Sequence, residues 1–222
     1  MKQHMSYLAA AGFVFGSLLL TSAALWQEGE KGFKRIFNGK NLKGWVGNTE
    51  SYQAKDGMIV IEPVKGSGGN LYTEKEYGDF ILRFEFQLTP GANNGLGIHA
   101  PLEGNAAYLG KELQILDDTA EKYANLKDYQ AHGSVYGVMP AKKGHLKPVG
   151  EWNQQEVTVV HPTIKIVLNG TVILEGDYLE AAKNGTIDGE DHPGLQRSRG
   201  HIGFLGHGDV VRFRNLRIKE LN

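Results

Sequence analysis

Between Phe80 and Leu88 the chain alternates, with Phe80, Leu82, Phe84, Phe86 and Leu88 in one register and, after Ile81, Arg83, Glu85 and Gln87 in the other. A period of two is that of a half-buried strand. Short β-type runs of the same kind recur from Phe33 onward: Lys34–Phe37, Met58–Glu62, Asn70–Thr73, Gly95–Ala100, Glu112–Leu116, Ser134–Tyr136, Gln154–His161, Thr163–Leu168, Thr171–Glu175, His201–Leu205 and Val210–Lys219. Gly, Asn and Pro separate them. Asn169-Gly170, between two apolar runs, predicts a type I′ hairpin turn, and Asp56-Gly57 and Pro90-Gly91 mark further turns. Only Tyr178–Lys183 and Ala120–Asp128 have a weakly helical pattern. Many short antiparallel strands without helical crossovers predict an all-β, two-sheet jelly-roll sandwich. Its core should draw on the Phe80–Leu88 series together with Val157, Val159, Ile164, Ile166, Leu168, Phe204, Phe213 and Ile218.

Composition narrows the picture. The 222 residues suffice for one all-β domain, and the 30 glycines suit a chain with many tight turns. A net charge of -1 gives no field for a phosphate backbone, so no nucleic-acid partner is expected. Cysteine is absent, which excludes a disulfide framework, a lipobox and Cys-ligated metal. At the N-terminus Lys2, the apolar stretch Tyr7–Leu20 and the small residues Thr21, Ser22, Ala23 and Ala24 follow the order of a secretory signal peptide. Residues 1–24 are therefore read as a signal, cleaved after Ala23 or Ala24, with an uncleaved anchor as the alternative. The mature protein, with its β-sandwich domain over residues 33–222, is expected in the periplasm or outside the cell, without an integral membrane domain. The sequence is silent on oligomeric state.

Alternation also sorts the chemistry. In Tyr108–Asp118 (YLGKELQILDD), Glu112 and Gln114 share one face of a strand and Leu113 and Ile115 the other. Similar reasoning sets His99 against Ile98 and Arg212 and Arg214 against Val211 and Phe213, and puts His207 just after the strand of Phe204. If these strands are neighbours in one sheet, carboxylate, amide, imidazole and guanidinium groups meet on one polar patch suited to a sugar. Glu112 can serve there as general acid or base, or it can pair with Arg83 or Lys111. Asp117 can hold a metal or orient a histidine, or it can cap a turn. His207, between Gly206 and Gly208, has backbone room around it for a ligand. His99 is read as a binding or proton-transfer group at a strand end. His132, His145, His161, His192 and His201 are read as structural or solvent-facing, and Trp45 and Trp152 as packing residues. No zinc-type ligand spacing occurs. No cofactor is called for, and a divalent cation stays open. The Gly66–Gly69 run lacks the lysine and helix of a phosphate loop and is read as a turn.

FNGKNLKGW (Phe37–Trp45), GDFILRFEFQL with NNGLGIHA, ELQILDD, GEWN, LNG and HIGFLGHGDVVRFRNLRIKEL succeed one another in the order of a known family. From Phe33 to Leu221 the chain resembles the 3-keto-disaccharide hydrolase-like domain family. The resemblance implies a concanavalin A-like lectin/glucanase jelly roll that breaks glycosides oxidised at C3, with a carbohydrate substrate as partner. It matches Glu85 to the carboxylate of the family's first long strand, and Asn94 and Gly95 to the turn that follows. It matches Glu112, Gln114 and Asp117 to the central segment, His207 to a late histidine-glycine, and Phe213, Arg214 and Asn215 to the closing motif. Leu96, His99 and Phe204-Leu205-Gly206 depart from the family's usual residues. The implied chemistry is C2 proton abstraction and elimination. Glu112 and His207 would be the acid–base pair, and Asp117 would orient the histidine or hold a cation. Glu85, Asn94, His99, Gln114 and Arg214 would contact substrate. Two other classes stand beside it: a non-catalytic carbohydrate-binding module, and a retaining glucanase, whose paired strand carboxylates Gln114 and Leu116 displace here.

Overall fold

The computed structural model describes residues 30–62 and 69–221. The proposed signal, residues 1–24, and Gly66–Gly68 of the glycine run lie outside the described residues; Gly69 opens a strand. Among the described residues thirteen strands occur in chain order: β1 (Lys34–Arg35), β2 (Trp45–Gly47), β3 (Tyr52–Lys55), β4 (Met58–Ile61), β5 (Gly69–Tyr77), β6 (Phe80–Leu88), β7 (Asn93–Ala100), β8 (Lys111–Leu116), β9 (Trp152–Val160), β10 (Thr163–Leu168), β11 (Thr171–Asp177), β12 (Gly200–Gly206) and β13 (Val211–Glu220). Two short helices, α1 (Ala106–Leu109) and α2 (Tyr178–Ala182), complete the regular structure with 3-10 turns at Glu121–Tyr123, Asp128–Gln130 and Pro193–Gln196. Among the described residues no helix is long and apolar enough to cross a membrane.

The strands form two antiparallel sheets. One has eight strands in the order β11-β10-β9-β6-β13-β4-β3, with β1 joined to β13; the other has five, β2-β5-β12-β7-β8. Alternation drives the two together: Phe84, Phe86 and Phe213 of the larger sheet and Leu96, Ile98, Leu113, Ile115 and Phe204 of the smaller are all essentially buried in one core. Every core residue named from the sequence pattern lies in that cluster. Phe204 stacks on Phe213 across the sheets, with ring centroids 3.8 Å apart. The jelly-roll expectation is met.

The turns follow their chemistry. Asn169 and Gly170 both have positive φ, 50° and 86°, as a type I′ turn requires, and Asp56-Gly57 repeats the geometry. Differences from the sequence reading are local. Strands β2 and β3 are additional, and Ser134–Tyr136 is reduced to isolated bridges of Val135 with Leu113 and Met139. Ala120–Asp128 resolves into 3-10 turns rather than a helix, and α1 is new. Asn105 caps α1 by accepting from the Ala107 N–H at 3.0 Å.

Candidate active site

Pairing register turns the smaller sheet into a grid. Tyr72 on β5, Gly203 on β12, Gly97 on β7 and Glu112 on β8 lie in one row across the strands; Asn70, Leu205, Gly95 and Gln114 form the next. Asn93 then pairs with Leu116, while His207 follows the end of β12. Because Leu96, Leu113 and Phe204 point into the core, these residues occupy the opposite, outer face. Loops fold over part of it. The end of α1 brings Tyr108, and the segment after β8 brings Tyr123 and Tyr136, around a cleft of about 290 Å³. Asn93, Glu112, Gln114 and His207 also line it.

Glycine makes room for the carboxyl group. A Cβ at Gly95 would sit 2.0 Å from Glu112 Oε1, so the glutamate lies flat across the adjacent strand. Tyr72 uses the same device over Gly203, where a Cβ would stand 2.3 Å from its ring. Glu112 is 6% exposed, and burial pushes its carboxyl up to about 7. Neither partner considered from the sequence reaches it. Arg83 pairs with Glu156 at 2.6 Å, and the Lys111 ammonium donates to the carbonyls of Gly194 and Arg197. A buried carboxyl that is half protonated near neutral pH can give or take a proton during a reaction.

His207 is exposed at the cleft edge between Gly206 and Gly208. Its Nδ1 lies 3.1 Å from the Leu205 carbonyl, which favours the tautomer protonated at Nδ1 and leaves Nε2 as the basic nitrogen. Tyr108 packs against His192, with ring centroids 4.7 Å apart, and His192 in turn bonds Asp188 at 3.0 Å. Burial, followed by the neighbouring Tyr136, Asp188, Glu190 and Glu112, holds the Tyr108 phenol above its ordinary pKa, so it remains a donor.

Of the residues proposed from the sequence, only Glu112, Gln114 and His207 come together here. Glu85 and Arg214 face each other on β6 and β13, with Arg214 Nε 2.6 Å from Glu85 Oε2 and its guanidinium 3.8 Å from the Trp152 ring. They belong to the outer face of the larger sheet, which points away from the cleft. Alternation gives a side chain's face within its own sheet, but a sandwich has two outer faces. Asn94 is fully buried on the core side of β7, in a strand rather than a turn. His99 is fully buried as well, its ring nitrogens each 2.9 Å from the carbonyls of Arg197 and Gly78; burial lowers its pKa to about 4. Its positive φ of 49° breaks the alternation that had set it against Ile98.

Asp117 is a loop tie. Its Oδ2 accepts from Gly91 N–H at 2.7 Å, and its Oδ1 accepts from the Thr119 hydroxyl at 2.5 Å. The turn-capping alternative describes this geometry. Among the described residues no three His, Cys, Asp or Glu side chains converge as a metal-binding set. Asn93, Tyr108 and Tyr136 were not singled out from the sequence. Period-two alternation back from Gly95 places Asn93 on the outer face, whereas the tyrosines arrive on loops that carry no period.

The comparisons with known proteins agree with this architecture. Residues 32–219 match the 3-keto-alpha-glucoside-1,2-lyase-like domain. A 3-keto-disaccharide hydrolase of Bacteroides thetaiotaomicron is 29% identical over 229 residues, covering 86% of this chain and 79% of that protein. A crystal structure of a candidate glycosyl hydrolase from Parabacteroides distasonis superposes with a TM-score of 0.74 at 30% identity, over 85% of this chain and 99% of that one. The Bacillus subtilis carbohydrate binding module CBM66 shares the fold alone, at 11% identity and a TM-score of 0.55 over 82% of this chain and 98% of that one. With nearly all of its described strands inside the matched span, the chain belongs to the 3-keto-alpha-glucoside-1,2-lyase-like domain family.

Proposed function

We propose that the protein cleaves glycosides whose sugar carries a ketone at C3, by elimination across C1 and C2. The observation that carries this reading is Glu112, a buried carboxyl with no counter-ion among the described residues, poised near pH 7 in the same cleft as His207. A C3 ketone acidifies the C2 proton. His207 Nε2 takes that proton, and the electron pair of the C2–H bond passes into the ketone as an enediolate. Tyr108 offers a phenolic donor to the C3 oxygen as charge develops there. The enediolate then collapses to form the C1=C2 bond and break C1–O, while Glu112 donates its proton to the departing oxygen. Water adding across the resulting enone, with oxygen at C1 and a proton returned to C2, completes net hydrolysis. Without that addition the protein is a lyase. The order of charged, apolar and small residues at the N-terminus supports export to the periplasm or beyond.

A 3-keto-glucoside deuterated at C2 tests the reaction. Aglycone release should be slower than from the protiated sugar, because the C2–H bond breaks on the path to the products. Equal rates would favour direct displacement at C1. Binding of the sugar with no release from either isotopologue would make the protein a carbohydrate-binding module.

A further inference from the structure

We propose that Asn93 and Gln114 are specificity-determining residues that accept hydrogen bonds from sugar hydroxyls remote from the reacting edge, those on C4 and C6 of the ring. The inference rests on the cleft's being a sugar site. Three buried side-chain oxygens on its floor lack any hydrogen-bond partner among the described residues: Asn93 Oδ1, Glu112 Oε1 and Gln114 Oε1. They come from two adjacent strands, in successive rows of one face, since Glu112 pairs with Gly97, Gln114 with Gly95, and Leu116 with Asn93. Gln114 is only 7% exposed, so its carbonyl has no ready supply of bulk water. A buried acceptor left unpaired is costly, and a row of them on one wall is built to meet a ligand that brings donors.

The chemistry of the ring decides which donors. The oxidised C3 carries a carbonyl oxygen, an acceptor, which such a floor would repel. C1 and C2 must face Glu112 and His207, where the proton moves. The hydroxyls left over are those on C4 and C6, and each can donate to one amide oxygen. A flat, dehydrated or apolar ligand satisfies neither oxygen. Asn93 and Gln114 therefore select a pyranose that keeps its C4 and C6 hydroxyls, and tolerate variety in the aglycone on the other side of C1.

Titration of the intact protein with methyl glucoside and its 4-deoxy and 6-deoxy forms reads this without any turnover. Each deoxy sugar should bind at least about tenfold more weakly than the parent, the effect of stranding one buried acceptor. In Asn93→Ala and in Gln114→Leu, discrimination against one of the two deoxy sugars should disappear while that against the other persists. Both variants should melt cooperatively near the native temperature. Deoxy sugars binding as tightly as the parent would overturn the assignment, as would full discrimination retained in both variants. Selective binding with no cleavage of a 3-keto-glucoside would sink the elimination chemistry and leave this inference standing. Cleavage of 4-deoxy and 6-deoxy 3-keto-glucosides at the parental kcat/KM would do the reverse.

Discussion

Glu112 owes its unusual acidity to a residue that is not there. The carboxyl lies where a side chain at position 95 would be, with its Oε1 only 2.0 Å from that missing Cβ. Gly95→Ala should push the carboxyl off the strand and into water. Two consequences follow for kcat/KM on a 3-keto-glucoside. Turnover should fall by at least about tenfold as the acid leaves its position. The alkaline limb should also move: an acid must be protonated to act, so native activity declines as pH rises through about 7, and in the variant the decline should begin at lower pH. An unchanged pH profile in Gly95→Ala would show that the buried pose of Glu112 does not govern the reaction. The polarity of Glu112 and Gln114 on one strand face was legible in the sequence. The raised pKa was not, because it depends on which strand lies beside Glu112 and on that strand carrying glycine.

Strand and face could be read from local pattern, but sheet membership could not. Phe80–Leu88 and Thr163–Leu168 are strands with the same bounds in sequence and structure. Period two was strong in both, and turn chemistry bounded them. Strands β2 and β3 are too short to show a period, and so is α1, which has four residues. The consequential gap concerns β6 and β13, which pair with each other and not with β8. Pairing is non-local, so nothing in Glu85 or Arg214 themselves reveals which outer face they share. Their assignment to the larger sheet has a testable consequence. Arg214→Ala leaves the buried Glu85 carboxylate without its partner and should cost about 1–3 kcal/mol of stability, read from denaturant unfolding. Under the same change kcat/KM should stay within about twofold. A large loss of turnover at unchanged stability would return Arg214 to the active site.

At the scale of the whole molecule, the groups that serve the site and the core oppose one another in pH. His99 and His132 are buried neutral, each lowered by burial to about 4. His132 also ties the sheets together, accepting from Leu116 N–H and bonding Gln155 across the core at 3.0 Å. A depressed folded-state pKa means stability that is full above the unfolded value of about 6.5 and lost as pH falls toward 4. Glu112 works the other way. Its pKa is raised in the fold to about 7, so stability is lost as pH climbs from the unfolded carboxylate value toward 7. Above that pH a buried, unpaired carboxylate costs roughly 3 kcal/mol. Glu112→Gln should therefore melt above the native protein at pH 8 and close to it at pH 4.5. Equal melting temperatures at pH 8 would mean that the carboxylate is not buried as described.

Aglycone release from a 3-keto-glucoside and from its unoxidised parent, followed side by side in the native protein and in Glu112→Gln, tests the central claim most directly. Release from the keto sugar alone is expected, reduced at least about a hundredfold in the variant. Release from the parent sugar at a comparable rate, or native turnover in Glu112→Gln, would contradict it.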